Sequence, residues 1–158
     1  MPKILIVCTG NLCRSPMAMA LLKAKLAQDE ARCGWQVESA GIWASTGRLA
    51  STHAVEEMAA RQIDLSSHCA QPVTRRLVAQ SDLILVMTRN HAEALEHAFP
   101  NQTHKIHLLS EMAGKKYDVQ DPYGSTRVEY ECTARELEDL IENGYERIVA
   151  LVEEATAG

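Results

Sequence analysis

No apolar run in the sequence approaches the roughly 18 residues that a helix needs to cross a bilayer, so no membrane span is predicted. An excess of positive charge is missing as well. With 21 acidic against 16 basic side chains the formal net charge is -5, which opposes sequence-independent attraction to nucleic acid or to an anionic membrane surface. Neither partner is expected, and any anion must be held locally. There is no C-x-x-C pair: the five cysteines, an odd number, are scattered at Cys8, Cys13, Cys33, Cys69 and Cys132. The opening run Ile4-Leu5-Ile6-Val7 is too short and too β-branched for an export signal. These absences predict a cytoplasmic protein with mostly free thiols. Zinc spacing is lacking too, since His104 and His107 would share a strand and point to opposite faces, so no metal is expected.

What remains, at 46% hydrophobic and 23% charged over 158 residues, has the proportions of one globular domain spanning 1–158. Lys3 to Val7 predicts a strand covered on both faces, ending at the loop residues Cys8-Thr9-Gly10-Asn11. A helix follows, with Ser15 as its N-cap, Pro16 at its first position and an apolar stripe through Met17, Ala20, Leu21, Ala24 and Leu26. Further strands are predicted over Trp35 to Ala40, Leu83 to Met87 and Lys105 to Leu109. Helices are predicted over Thr52 to Arg61, Asn90 to Ala98 and Glu129 to Glu154, the last open to a kink at Asn143-Gly144. Strands alternating with helices imply an α/β fold of three layers, α/β/α, around a central four-stranded parallel sheet. Ligands of such sheets bind beyond the carboxyl ends of the strands, and the first such end is Cys8.

The segment Cys8-Thr9-Gly10-Asn11-Leu12-Cys13-Arg14-Ser15 sets a thiol and a guanidinium at opposite ends of a strand-to-helix loop. A loop of this kind can turn successive backbone N–H groups inward, and the helix start adds about half a positive charge, so a phosphate dianion fits. Arg14 adds a planar fork for two phosphate oxygens. The same partial charges favour a thiolate, which makes Cys8 a candidate nucleophile. A cation at a helix amino terminus is unfavourable unless an anion balances it, which argues against Arg14 as an ordinary surface residue. The segment is not a Walker A motif, which needs G-x-x-x-x-G-K-[ST].

This C-x5-R-S loop near the amino terminus resembles that of the low molecular weight protein tyrosine phosphatases. The similarity extends through Ser39-Ala40-Gly41, Leu65-Ser66-Ser67-His68, Asp82 to Met87 and Asp121-Pro122-Tyr123. It implies a phosphate-binding loop of Thr9, Gly10, Asn11, Leu12, Cys13 and Arg14 after the first strand, and hydrolysis of phosphotyrosine in proteins through a cysteinyl-phosphate, without metal or cofactor. Asp121 is then the general acid, in a loop stiffened by Pro122, with Asp118 as a second candidate. Ser15 would support the departing sulfur, and Ser39 and His68 would join Asn11 in a network holding the loop. Trp43 and Tyr123 resemble the aromatic walls that accept a phenyl ring. The resemblance also suggests a protective Cys8–Cys13 disulfide, the alternative being a Cys13 thiol packed under the loop. Implied partners are a phosphorylated protein or peptide and a cognate protein kinase.

Within the family the competing reading is a protein-arginine phosphatase, which Thr9, Met17-Ala18, Ser51-Thr52-His53-Ala54 and the Asp-Pro-Tyr-Gly layout resemble. That branch has a threonine where this chain has Leu12, which favours phosphotyrosine. Thioredoxin-coupled arsenate reductases share the loop but need further cysteines near the third strand, where Leu83 to Arg89 hold none. Arg14 and Asp121 together argue against a phosphate-binding module without turnover.

Overall fold

The computed structural model describes residues 1–157. Its sheet has four parallel strands, β1 (Lys3–Cys8), β2 (Gln36–Gly41), β3 (Leu83–Val86) and β4 (Ile106–Leu108), in the order β2-β1-β3-β4. Chain order reverses between β1 and β3, so the crevice beyond the end of β1 is where such a sheet binds its ligand.

Both faces of the sheet are covered, because alternate residues of each strand enter different cores. Ile4, Ile6, Leu83 and Leu85 pack beneath α1 (Arg14–Ala27), α2 (Thr52–Ala59), α5 (Leu109–Met112) and α6 (Arg127–Ala157). Leu5, Val7, Ile84 and Val86 meet α3 (Arg75–Gln80) and α4 (Arg89–Ala98) on the other side. The three-layer α/β/α arrangement therefore follows from the continuous apolar runs of β1 and β3.

The structure corrects several expectations in detail. The first helix starts at Arg14 with Cys13 in the capping position, so Ser15 is not its N-cap; the Ser15 hydroxyl is turned instead toward Cys8. A short helix absent from the expected elements, α3, opens at Arg75 and Arg76, and Thr74 caps it by accepting from the Leu77 N–H at 3.1 Å. His104 lies in a 3-10 turn over Pro100–Lys105 and only His107 lies on β4. The last helix is unbroken at Asn143-Gly144. Glycine is needed there for packing, since a Cβ on residue 144 would lie 2.6 Å from Met112 Cβ and 2.9 Å from the Met112 carbonyl carbon.

Candidate active site

Beyond the end of β1, residues 9–13 curl into a loop whose conformation is set by Asn11. This residue is fully buried at φ 58°, a left-handed conformation that asparagine tolerates better than most. Its amide is fully used. Nδ2 donates to Ser15 Oγ at 2.8 Å and Ser39 Oγ at 2.9 Å, while Oδ1 accepts from the Gln71 N–H at 3.0 Å. The Asn11 carbonyl accepts from His68 Nε2 at 2.9 Å, which puts the imidazole hydrogen on that nitrogen. Burial lowers the His68 pKa, outweighing the carbonyl contact, and so favours the neutral ring. The structure thus brings Asn11, Ser39 and His68 together with Gln71.

The segment after β2 runs directly against the loop. Ile42 N–H donates to the Cys8 carbonyl at 3.0 Å and Trp43 N–H to the Thr9 carbonyl at 2.9 Å. A Cβ at Gly41 would lie 2.5 Å from that Thr9 oxygen, so only glycine permits the approach.

Cys8 is buried, with Sγ 3.0 Å from the Ser15 hydroxyl. Because Asn11 Nδ2 donates to that same hydroxyl oxygen, the Ser15 hydrogen is free to point at sulfur, its other acceptor being the Ala40 carbonyl at 3.5 Å. Arg14, 4% exposed, extends along the opposite wall. Nη1 donates to the Val119 carbonyl at 2.9 Å, and Nη2 lies 3.3 Å from Thr9 Oγ1 and 3.4 Å from Asp121 Oδ2. Its buried Nε has no hydrogen-bond partner. An unpaired donor on a buried cation is costly, and an oxyanion beside it would remove that cost.

Asp121 is half-exposed, and its Oδ1 accepts from the Tyr123 N–H at 3.0 Å, a local turn that fixes the carboxylate over the loop. Asp118 is engaged elsewhere, accepting from the Arg89 N–H at the start of α4 at 2.9 Å. A cavity of about 200 Å³ is bounded by Cys8, the loop, Arg14, Asp121, Arg48 and Tyr123. Tyr123 thus stands at the wall. Trp43, 81% exposed, lies outside the lining residues.

Cys13 also lines the cavity, with Sγ 3.2 Å from the Ser51 hydroxyl and 3.1 Å from that of Tyr130. Burial raises its pKa against those two hydrogen bonds and so favours the neutral thiol. Besides Gln71, sequence reasoning missed four contributors: Arg48, which donates to the Tyr123 hydroxyl at 3.4 Å, Ser51, Tyr130, and His91, whose Nε2 is 2.8 Å from Thr9 Oγ1. His91 follows the carboxyl end of β3 by five residues, and that position was the available signal.

The chain matches the family model described as low molecular weight phosphotyrosine protein phosphatase over residues 3–155. It is 40% identical over 139 residues to the protein-arginine-phosphatase of Bacillus subtilis (strain 168), covering 87% of this chain and 91% of that one. To the low molecular weight protein-tyrosine-phosphatase Wzb of Escherichia coli (strain K12) it is 37% identical over 124 residues, or 78% and 80% of the two chains. The crystal structure of a low molecular weight protein tyrosine phosphatase from T. tengcongensis superposes with a TM-score of 0.87 at 37% identity, covering 93% of this chain and 99% of that one.

Proposed function

Because the chain belongs to the low molecular weight phosphotyrosine protein phosphatase family, we propose that it hydrolyses phosphotyrosine in proteins through a phosphocysteine formed on Cys8. The observation that carries this reading is one cavity holding a thiol, a half-exposed carboxylate and a buried guanidinium with an unpartnered Nε. Phosphate seats against Arg14 and N–H groups of the loop, which stabilise charge on its equatorial oxygens. Cys8 sulfur attacks phosphorus as the bond to the tyrosyl oxygen breaks, and Asp121 gives that oxygen its proton. In the second step Asp121 takes a proton from water, the water oxygen bonds phosphorus, and the sulfur leaves as a thiolate. Ser15, its oxygen already accepting from Asn11, donates to that sulfur.

The protein-arginine phosphatase reading has its own support in the Bacillus subtilis relative. Leu12 favours tyrosine: its buried side chain lines the cavity, where it offers a phenyl ring apolar contact and a guanidinium no hydrogen bond. The reading includes a reducing cytoplasm, supported by five free cysteines, and a protein kinase that supplies the phosphorylated substrate.

The test is a comparison of kcat/KM on phosphotyrosine, phosphoarginine and phosphoserine peptides of one sequence. Phosphotyrosine is expected to lead, and Leu12→Thr to shift preference toward phosphoarginine by roughly 10- to 200-fold. A native preference for phosphoarginine overturns the substrate assignment, and hydrolysis of none of the three overturns the enzyme reading.

A further inference from the structure

One polar chain in the cavity wall has no part in the mechanism above, and the order of its donors is set by the backbone. Thr88 caps α4, its hydroxyl accepting from the His91 N–H at 3.2 Å, while the Thr88 N–H donates to His91 Nδ1 at 3.2 Å. An amide N–H can only donate, so Nδ1 presents its lone pair and the ring hydrogen is on Nε2. Burial, with the nearby Arg14 cation second, pushes the His91 pKa down to about 4, so the ring stays neutral as this arrangement requires.

Nε2 lies 2.8 Å from Thr9 Oγ1 and therefore donates to it. The same oxygen accepts from Arg14 Nη2 at 3.3 Å. A hydroxyl has two lone pairs and one hydrogen. Both lone pairs are engaged, and among the described residues no protein acceptor takes the hydrogen, while Thr9 lines the cavity beside Cys8. The oxygen of an anion in that cavity is the acceptor this hydrogen lacks.

We propose that His91 is a positioning residue for phosphoryl transfer: it holds the Thr9 hydroxyl so that its oxygen steadies the outer nitrogen of the Arg14 fork and its hydrogen points at a phosphoryl oxygen. This rests on the phosphatase reading above. Without the His91 donor, Thr9 is free to rotate and one restraint on the fork is lost, although Nη1 keeps its bond to the Val119 carbonyl. Binding of substrate should change little, because Nε and the loop amides remain. The loss falls on alignment during transfer, and so on kcat more than KM.

Two substitutions separate this role from helix capping, because each copies half of an imidazole. Asparagine places an acceptor near the position of Nδ1, so His91→Asn keeps the cap and loses the donor to Thr9. Glutamine places an amide nitrogen near Nε2, so His91→Gln keeps the donor and loses the cap. With an aryl phosphate as substrate, kcat is expected to fall about tenfold in His91→Asn at little cost in melting temperature. His91→Gln should melt earlier yet keep kcat within about threefold of native. In a Thr9→Val background, His91→Asn should have no further effect on kcat. The proposal is overturned if kcat tracks melting temperature, if both variants lose kcat equally or keep it, or if the asparagine effect persists in full without the Thr9 hydroxyl. Native protein inactive in the same assay would count against the phosphatase reading, whereas active native protein with the wrong variant pattern counts only against His91.

Discussion

Acidification should destabilise this protein well above the pH at which its carboxylates titrate, and His91 supplies most of the effect. In the folded protein burial beside Arg14 holds the His91 pKa at about 4, down from 6.5. Between those values the unfolded chain binds a proton that the folded chain refuses, so stability rises with pH across the window and is lost as pH falls through it. The difference from 6.5 to about 4, at about 1.4 kcal/mol per pKa unit, corresponds to about 3 kcal/mol when fully developed. By pH 4.5 about 2 kcal/mol of it is gone, a large share of the roughly 5 to 15 kcal/mol typical of a folded domain. At 6% exposed, His91 is little screened by solvent. Burial lowers the His68 pKa as well, so that residue acts with the same sign. For Glu57, burial would raise the pKa, but hydrogen bonds from Arg127 and Arg61 bring it below the usual 4.5 of a glutamate, and its contribution is lost only below that pH. Urea unfolding at pH 7.5, 6.5, 5.5 and 4.5 measures the slope. His91→Asn, which cannot titrate but keeps the α4 cap, should lose about 2 kcal/mol less than native over that range. Parallel curves for the two proteins would refute the buried, neutral His91.

Cys8→Ser should remain folded and bind phosphate while losing aryl phosphate hydrolysis; turnover with the native pH profile would remove Cys8 as nucleophile. Asp121→Ala should cost 10² to 10⁴ in kcat on a substrate with a poor leaving group and far less on a good one. Equal losses on both would make Asp121 structural. Peroxide should inactivate reversibly through a Cys8–Cys13 disulfide, blocked by bound phosphate and irreversible in Cys13→Ser; recovery unchanged by that substitution would leave Cys13 as a packing residue held by Ser51 and Tyr130. Gly144→Ala should cost about 1 to 3 kcal/mol by pressing on the α5 backbone at Met112, and an unchanged melting temperature would show that α5 moves freely away from α6.

Legibility from sequence followed the range of the interactions involved. β1 and β3 were readable because both faces are buried, which leaves unbroken apolar runs. The loop was readable because a thiol, left-handed-tolerant residues and a fork-shaped cation occur within seven positions at a strand end. Helix α3 was missed because six residues are too few for an amphipathic period to register. Ser15 was misread as a cap because local rules give a serine beside Pro16 to the helix, whereas tertiary contacts give it to Cys8 and Asn11. The His68 contact with Asn11 spans 57 positions, and only resemblance suggested it. The His91 contact with Thr9 spans 82 positions and had no local trace.

The way the loop is held bears on which phosphoryl group it accepts. Asn11 spends its side chain on Ser15, Ser39 and Gln71, and Arg14 spends Nη1 on Val119, so these groups are fixed before any ligand arrives. What stays unsatisfied in the cavity wall, Arg14 Nε and the Thr9 hydrogen, would meet an oxyanion in the same way whatever the phosphorus is attached to. Discrimination between a phenolic oxygen and a guanidinium nitrogen must therefore come from the walls above phosphorus. There the chain presents Leu12, Arg48 and Tyr123, with Arg48 donating to the Tyr123 hydroxyl. A cationic Arg48 at that height repels a second guanidinium, while Tyr123 and Leu12 offer apolar area to a ring. The relatives named as an arginine and a tyrosine phosphatase are 40% and 37% identical to this chain, so overall identity does not separate the two substrates.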